Sequence, residues 1–310
     1  MRLLITGASG FVGTALLDRL SDDARWDVRP CTRRPVDSRV GTIEWVTSPE
    51  LADGADWRSV LSGVDAVVHL AARVHVMSRS DGPSDEEFRR VNVKGTLDLA
   101  EQAAGAGVRR FVFLSSVKVH GDAGALDAES VSAPSDAYGR SKWAAELALG
   151  KLAHATGLEV VTIRPPLVYG SGVKANFLIL ATAVRRGIPL PLGGIRNRRS
   201  LVGVRNLVDL TITCMEHPAA ASQSFLVSDG EDLSTPELVR RIAKAMGRPA
   251  RLLNVPEAWL QVAGSLTGRR AAVERLVGSL HVDISKAQRL LGWQPPFTVD
   301  DELRRAVSQL

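Results

Sequence analysis

A glycine-rich loop close to the N terminus constrains the fold of this chain more than any other feature. Glycines occupy positions 7, 10 and 13, directly after the apolar run Arg2–Thr6 and at the start of the helix-period segment Phe11–Leu20. Between a strand and a helix, glycines with this spacing allow a tight turn, the approach of a pyrophosphate to the backbone and close packing of the helix on the sheet. The helix N terminus adds free N–H groups and the positive end of its dipole.

The alternative interpretation of this loop is an ordinary β–α turn. Because a strand precedes it and a helix follows it, the pattern favours a dinucleotide-binding site. The residues expected to contact the dinucleotide are Gly7, Ser9, Gly10, Phe11, Val12 and Gly13.

Strand-like and helix-like segments alternate through the first half of the chain. The predicted strands are Arg2–Thr6, Asp27–Thr32, Thr42–Val46, Ala66–Leu70, Arg110–Ser115 and Glu159–Ile163. The predicted helices are Phe11–Leu20, Asp85–Ala106 and Ala137–Ala155. Such alternation predicts an α/β fold, a Rossmann-type doubly wound parallel sheet with helices on both faces.

The pattern changes after about residue 165, where Pro and Gly separate the helices by longer loops. We therefore predict a nucleotide-binding domain at residues 1–165 and a smaller α/β substrate-binding lobe at 166–310, with strands and helices exchanged between them. In the second part, Ser234 is an expected helix N-cap with Glu237 three residues later. The segment Asp283–Leu291 is an expected helix that ends at Gly292.

Composition excludes several classes of protein. A chain of 310 residues that is 45% hydrophobic and 24% charged has ordinary globular composition. The two cysteines, Cys31 and Cys214, form no paired motif, so neither a disulfide framework nor a metal site is expected. No apolar run approaches the length of a membrane span, which predicts a cytoplasmic protein without membrane insertion.

The net charge of +5 favours anionic ligands. Nucleic acid is not expected as a partner, because the arginines are scattered in pairs without interleaved aromatic residues. Diphosphate ligands account for the charge equally well.

The end of the second strand bears on the choice of dinucleotide. An NAD enzyme usually carries Asp or Glu here to bind the ribose hydroxyls, but the segment Pro30–Arg34 contains neither. Arg33 or Arg34 could pair with a 2′-phosphate, so NADP(H) is favoured over NAD(H). The alternative is that both arginines are solvated surface residues.

Three side chains form a candidate acid–base site. Tyr138 and Lys142 lie one turn apart on one face of a predicted helix, where an ammonium and a cationic nicotinamide ring would lower the tyrosine pKa. Ser115 and Ser116 close the strand Arg110–Ser115 at the sheet edge where ligands bind, and Ser116 is the expected donor to the reacting oxygen. The alternative interpretation gives these residues no catalytic role. Tyr138 and Lys142 would then be an ordinary surface pair, and the serines would cap a helix or form a turn.

Together these residues resemble the extended short-chain dehydrogenase/reductase family of nucleotide-sugar epimerases, dehydratases and ketoreductases, over nearly the whole chain. The resemblance implies catalytic roles for Ser116, Tyr138, Lys142 and the structural Asn92. It adds cofactor contacts at Leu70, Ala71, Ala72 and Pro165, besides Tyr138, Lys142 and the residues above. It places a UDP-sugar substrate against Ser116, Lys118, Asn176, Phe177 and Arg199, and it is compatible with a homodimer.

Two departures from the family pattern affect the expected activity. Leu167 replaces an Asn that often touches the nucleotide-sugar, and the acidic ribose ligand is missing. With these departures the chain resembles a UDP-glucose 4-epimerase-like subgroup that is also similar to bacterial UDP-4-keto-6-deoxy-N-acetylhexosamine reductases. This resemblance implies, as the expected function, reduction at C4 of such a keto sugar in surface polysaccharide synthesis. The alternative is a UDP-glucose or UDP-N-acetylglucosamine 4-epimerase with tightly bound NAD. A non-catalytic NADP-sensing protein is a minor alternative. A dehydratase is not expected, because dehydratases of the family usually carry an Asp-Glu pair at the positions that Val117 and Lys118 occupy here.

Overall fold

The computed structural model of the chain describes residues 1–33, 45–74, 84–173, 175–268, 270–308 and 310, without the side chains of residues 175, 176, 271, 272 and 275. Three predictions fall outside these residues: the cofactor contact Arg34, most of the strand Thr42–Val46, and the side chain of Asn176.

A parallel sheet forms the centre of the molecule. Its seven strands within the described residues are β1 (Arg2–Thr6), β2 (Asp27–Thr32), β3 (Val46–Thr47), β4 (Ala66–His69), β5 (Arg110–Leu114), β7 (Glu159–Arg164) and β10 (Ser224–Leu226). They are arranged in the order β10-β7-β5-β4-β1-β2-β3, and every pair is parallel. Since the order reverses between β1 and β4, a crevice opens there at the carboxyl ends of the strands. The predicted Rossmann-type sheet is confirmed.

Helices cover both faces of this sheet. Those from the first half of the chain are α1 (Phe11–Leu20), α2 (Arg58–Leu61), α3 (Asp85–Phe88), α4 (Gly95–Gly105) and α5 (Ala137–Thr156). The predicted single helix Asp85–Ala106 is wrong in one respect, because a π-helical turn at Arg89–Lys94 separates α3 from α4. Turns of this kind are frequent at functional sites, and this one contains Asn92.

A second sheet lies in the smaller part of the molecule. It consists of β11 (Asp232–Leu233), β9 (Arg199–Gly203), β12 (Leu280–Val282) and β6 (Gly124–Leu126), with β8 (Leu167–Tyr169) paired to β9. Its associated helices are α6 (Ala175–Arg185), α7 (Val204–Glu216), α8 (Thr235–Ala245), α9 (Glu257–Leu266), α10 (Arg270–Val277), α11 (Ser285–Leu291) and α12 (Val299–Val307).

Strands cross the predicted boundary at residue 165 in both directions. β6, from the first half of the chain, pairs with β12 in the small sheet, and β10, from the second half, pairs with β7 in the large sheet. The division into domains 1–165 and 166–310 stays a prediction. It allowed for strands exchanged between the domains, and β6 and β10 are strands of this kind.

Alternation along the strands separates two hydrophobic cores. Leu3 and Ile5 point to one face of the large sheet, into a cluster with residues of α1 and α7. Leu4 points to the other face, into a cluster with Leu99 of α4 and Leu149 of α5. A third cluster, around Tyr169, fills the smaller part of the molecule. None of the described helices is both long enough and apolar enough to cross a membrane.

The local signals of the second half act largely as predicted, although the helix expected at Asp283–Leu291 begins two residues later, at Ser285. The Ser234 side chain accepts a hydrogen bond from the Glu237 backbone N–H and begins α8. Gly292 ends α11 in the left-handed conformation, with a φ of 62°. The next residue, Trp293, donates from its indole to Asp209 on α7 (2.8 Å), which ties this stop to the core.

We expect Gly203→Ala to destabilise the fold. A Cβ at Gly203 would lie 2.2 Å from Cγ of Glu302, whose side chain is 1% exposed and accepts a hydrogen bond from Arg205. Because that side chain cannot move without exposing a buried carboxylate, we expect a loss of about 1–3 kcal/mol in the free energy of unfolding. Urea denaturation measures it. The control is Gly150→Ala in α5, which meets nothing within 4 Å and should gain about 0.5–1 kcal/mol; equal stabilities for the two variants would contradict this account.

Candidate active site

The glycine loop has the shape that a dinucleotide pyrophosphate requires. Gly7 has a φ of 69°, and a Cβ there would lie 2.7 Å from the backbone nitrogen of Ala71. A Cβ at Gly13 would lie 2.4 Å from the carbonyl oxygen of Gly7. Gly10 is the N-cap of α1 and brings no side chain to the first-turn N–H groups. Side chains are thus excluded where a phosphate would bind, and the loop fits a dinucleotide.

The loop is fixed to the end of β4 by a buried chain of polar groups. Thr6 Oγ1 accepts a hydrogen bond from the Ala71 N–H (3.3 Å) and also bonds to His69 Nδ1 (2.7 Å). The other ring nitrogen of His69 bonds to Thr96 of α4 (3.0 Å). Burial, together with the charge of Lys142, lowers the pKa of His69 to about 3, so the ring is neutral. Leu70, Ala71 and Ala72 follow, partly exposed towards the crevice.

Arg33 extends into solvent just beyond β2. It is exposed, and it forms no ion pair within the residues that the structure describes. The guanidinium is therefore available to an anionic ligand, and the predicted contact with a 2′-phosphate stays a prediction.

Tyr138 and Lys142 begin α5, which starts because Asp136 accepts a hydrogen bond from the Gly139 N–H (2.7 Å). Lys142 is 2% exposed. Its Nζ donates to the carbonyl of Leu114 (2.7 Å) and lies 4.5 Å from the ring centroid of Phe113, a cation–π contact. Tyr138 is half-buried, with its ring edge-on to Phe88, and within the described part of the chain its hydroxyl forms no hydrogen bond.

The pKa of Tyr138 is not lowered in the protein alone in the way that the sequence analysis expected for a tyrosine activated by Lys142. Burial, followed by the charge of Asp136, raises the pKa of Tyr138 above its ordinary value. Burial lowers the pKa of Lys142 to about 7, while the charge of Glu146 opposes that change. The protein alone therefore does not produce an acidic phenol, and the predicted lowering stays a prediction for the state with a bound cationic nicotinamide.

The two serines after β5 have different environments. Ser115 is 3% exposed and donates its hydroxyl to Glu146. Ser116 is partly exposed, and its Oγ accepts a hydrogen bond from the Lys118 N–H (3.2 Å) as the cap of a 3₁₀ turn at Val117–His120. Only Ser116 therefore keeps a hydroxyl proton for a ligand, which supports its selection over Ser115.

The turn after Ser116 packs directly on the start of α5. A Cβ at Gly139 would lie 2.6 Å from the Lys118 carbonyl oxygen. Lys118 Nζ pairs with Asp136 and with Asp122 (3.1 Å), and although burial lowers the lysine pKa, these bonds raise it above its ordinary value. Lys118, predicted to bind substrate, is thus engaged in holding this turn.

Asn92 holds the crevice wall. It is 1% exposed; its Oδ1 accepts from the Arg73 N–H (2.7 Å), and its Nδ2 donates to the Arg73 carbonyl (3.0 Å) and to Ser141 Oγ (3.0 Å). Ser141 in turn donates to the Tyr138 carbonyl (2.8 Å). Asn92 thereby connects the segment after β4 to the first turn of α5.

The predicted residues of the second half are less accessible. Phe177 is 2% exposed and stacks on Tyr169 (5.5 Å between centroids), so its side chain lies in the core and cannot meet a substrate in this arrangement. Arg199 is partly buried and donates to the Gly278 carbonyl (2.8 Å); burial lowers its pKa, opposed by Asp122. Pro165 is buried, and its carbonyl accepts from the Val117 N–H (3.0 Å).

A buried polar network behind the serines was missed by the sequence analysis. Glu146 of α5 bonds to Ser115 and to Arg164 of β7, and Arg164 donates to Nε2 of His120 (3.0 Å). The available signal was the spacing of Glu146, one turn after Lys142. Among the described side chains, no group of three or more His, Cys, Asp or Glu could hold a metal ion.

Comparison with known proteins identifies the family. The profile of the NAD dependent epimerase/dehydratase family matches residues 3–227. The chain belongs to this family. This chain is 44% identical to a UDP-glucose 4-epimerase of Vibrio cholerae over 308 residues, which cover 98% of this chain and 93% of that protein.

Solved structures agree with this assignment. MoeE5 in complex with UDP-glucose and NAD is 25% identical, with a TM-score of 0.78 over 100% of this chain and 98% of that one. The UDP-N-acetylglucosamine 4-epimerase of Bacillus cereus, 21% identical, has the same fold, with a TM-score of 0.81 over 99% and 98%. The predicted family resemblance is confirmed, and so is the prediction that this family member is an enzyme.

We expect the neutral state of His69 to make stability depend on pH. Below the ordinary histidine pKa of 6.5 the unfolded chain binds a proton that the native ring does not, until about pH 3. Stability should therefore fall as pH falls through this window, by up to about 1.4 kcal/mol per pH unit. Urea denaturation from pH 4.5 to 8 should show a flatter profile for His69→Gln. The exposed His154→Gln is the control; parallel profiles for the wild type and His69→Gln would exclude His69 as a source of the dependence.

Proposed function

We propose that this protein is a UDP-hexose 4-epimerase that retains NAD(H) through the reaction. The observation that carries the proposal is the Tyr138 hydroxyl, without a protein partner among the described residues, one helical turn from the buried ammonium of Lys142. The similarity to the Vibrio cholerae UDP-glucose 4-epimerase supports a 4-epimerase over the reductase that the sequence analysis favoured. The NAD and UDP-glucose bound by MoeE5 support the choice of ligands.

The binding roles follow from the geometry. Gly7, Gly10 and Gly13 with the N terminus of α1 would hold the pyrophosphate, as would backbone groups of residues 70–72 at the end of β4. Residues 1–165 would supply these contacts, and residues 166–310 the substrate lobe. Arg199 would approach the diphosphate of the sugar nucleotide. Cytoplasmic location and a homodimer remain predictions.

The acid–base steps belong to three side chains. The dinucleotide, when bound, supplies hydride transfer to and from C4. Tyr138 takes the proton of the C4 hydroxyl at its phenolic oxygen and returns it to the same oxygen in the reverse step. Ser116 donates a hydrogen bond to the C4 oxygen and stabilises negative charge that develops there. Because both residues act on the oxygen, the same set serves both epimers if the keto sugar turns between the two transfers.

The electrostatics of the site require a bound cation for the first step. With the pKa of Tyr138 raised by burial, the phenol is neutral at pH 7 in the protein alone. Lys142, held by Phe113 and the Leu114 carbonyl, brings its ammonium close to the same face of α5. An oxidised nicotinamide ring would add a second positive charge, and the two together would favour the phenolate.

A second candidate function is the NADP(H)-dependent 4-ketoreductase. It is favoured by one observation, the exposed Arg33 at the end of β2 where an acidic ribose ligand is missing. The same Tyr138 and Ser116 would then protonate and steady the C4 oxygen of a keto sugar during reduction. The two functions differ in whether the dinucleotide stays bound.

Bound nucleotide distinguishes these two candidates. We expect the purified protein, after denaturation, to release close to one NAD(H) per chain, measured by chromatography and mass spectrometry. It should also interconvert UDP-glucose and its C4 epimer without added cofactor. An empty site that binds NADPH with micromolar affinity, with loss of that affinity in Arg33→Ser, would favour the reductase.

We expect Tyr138→Phe to lower kcat by 10²–10⁴-fold, the usual contribution of a general acid–base group, while dinucleotide content stays unchanged. The chain offers a matched control, because Tyr169 is its second and last tyrosine. Tyr169 donates to the buried Asp229 (2.8 Å), so Tyr169→Phe should lower stability but not turnover per folded molecule. Near-full turnover by Tyr138→Phe would refute the proton transfer.

A further inference from the structure

Glu146 occupies a position between two parts of the proposed catalytic site. It is 9% exposed and lies one helical turn after Lys142 on α5. Its carboxylate accepts the hydroxyl of Ser115, the residue before Ser116, and it opposes the lowering of the Lys142 pKa by burial. One side chain thus contacts the loop that carries Ser116 and acts on the charge state of Lys142.

The cost of burying this carboxylate is offset by a charged partner. Arg164 of β7 donates through Nε to both carboxylate oxygens (3.2 Å each), and its side chain is 12% exposed. The guanidinium also donates to Nε2 of His120 (3.0 Å), whose Nδ1 bonds to the Val131 carbonyl (3.2 Å). Burial lowers the pKa of His120, the hydrogen bond to the Val131 carbonyl opposes this change, and the charge of Arg164 acts in the same direction as burial. A buried ion pair of this kind is seldom a gain in stability by itself, which makes a positional role the better explanation.

The loop around Ser116 is anchored on both sides, and Glu146 adds the side-chain anchor. The Ser115 N–H donates to the Ile163 carbonyl (2.8 Å), and the Val117 N–H donates to the Pro165 carbonyl (3.0 Å). These bonds fix the backbone on β7 but leave the rotation of the loop side chains undetermined. The bond to Glu146 fixes the buried Ser115 hydroxyl, while the adjacent Ser116 is partly exposed.

We propose that Glu146 is a positioning residue that couples the two halves of the acid–base site: it orients the Ser116 loop through Ser115, and its carboxylate, one helical turn after Lys142, favours the charged form of that lysine. The coupling rests on the proposed function, since it concerns the same site. Tyr138 and Glu146 lie one turn before and one turn after Lys142 on α5. Phe113 and the Leu114 carbonyl contact the lysine from β5, and its charge acts on His69 of β4. His69 is neutral, and so Glu146 is the anionic group among them.

Glu146→Gln keeps the size of the side chain and removes its charge. Without that charge the pKa of Lys142 should fall by about 1. If turnover requires the ammonium, activity is lost as pH rises through the Lys142 pKa, so the alkaline limb of the kcat profile should move to lower pH by about 1. We also expect kcat at pH 7 to fall about tenfold, with KM changed less than twofold.

Ser115→Ala separates the two roles. It removes the bond to the loop but leaves the carboxylate charge, so kcat should fall while the alkaline limb stays in place. Glu216→Gln, a change at an exposed glutamate paired with Arg25, is the control and should leave both unchanged. A role for Glu146 in folding alone would lower the unfolding midpoint without moving the limb, and that result would overturn the proposal.

Two further measurements keep the test decisive. If Glu146→Gln fails to fold because Arg164 is left unpaired, the double variant Glu146→Gln/Arg164→Gln removes both charges of the ion pair and should move the limb in the same direction by a smaller amount. The pKa of Lys142 itself is measured by NMR titration of lysine labelled at Cε, with Lys142→Arg for assignment, and needs no turnover. An inactive wild type with the expected pKa change would refute the proposed function and retain this coupling; an active enzyme whose Lys142 pKa is the same in both forms would refute the coupling alone.

Discussion

The burial of one ammonium group organises this molecule. Lys142 is almost completely buried. Its ammonium contacts the Leu114 carbonyl and the ring of Phe113, and the carboxylate of Glu146 lies one helical turn away. Desolvation penalises its charge strongly enough to bring its pKa close to neutrality. The end of β5, the start of α5 and the neutral His69 behind them are arranged around this group, and the site chemistry depends on how that charge is maintained.

Activation of Tyr138 is correspondingly conditional. Its surroundings work against the phenolate until positive charge enters the crevice. In the protein alone the phenol is therefore protonated. Under the proposed function, a bound oxidised nicotinamide would favour the phenolate and would limit proton abstraction to the state in which hydride transfer can follow.

Local patterns predicted much of the fold and part of the site. The glycine loop, the strand–helix alternation and the Tyr138–Lys142 spacing each depend on residues close in sequence, and the first two sufficed to predict the Rossmann-type parallel sheet, which is confirmed. The π-helical turn that contains Asn92 was not predicted, because the apolar periodicity of residues 85–106 does not distinguish it from a continuous α-helix, and the bonds of Asn92 to Arg73 join segments distant in sequence. Nor could the burial of Phe177 against Tyr169, or the engagement of Lys118 by two aspartates, be predicted, because both depend on packing between distant segments. The choice of reductase over epimerase rested on a missing acid near Arg33, whereas overall similarity supports the epimerase.

The reciprocal placement of β6 and β10 limits how the two parts of the molecule can move. Each sheet contains a strand whose neighbours in sequence belong to the other, so the chain crosses between the two sheets before and after each of these strands. A hinge movement would leave both ladders intact and would have to be taken up by these four crossing connections. The relative placement of the two sheets is therefore set by these crossing connections together with the side chains packed between the sheets, and a substitution in one connection would be felt in both parts of the molecule.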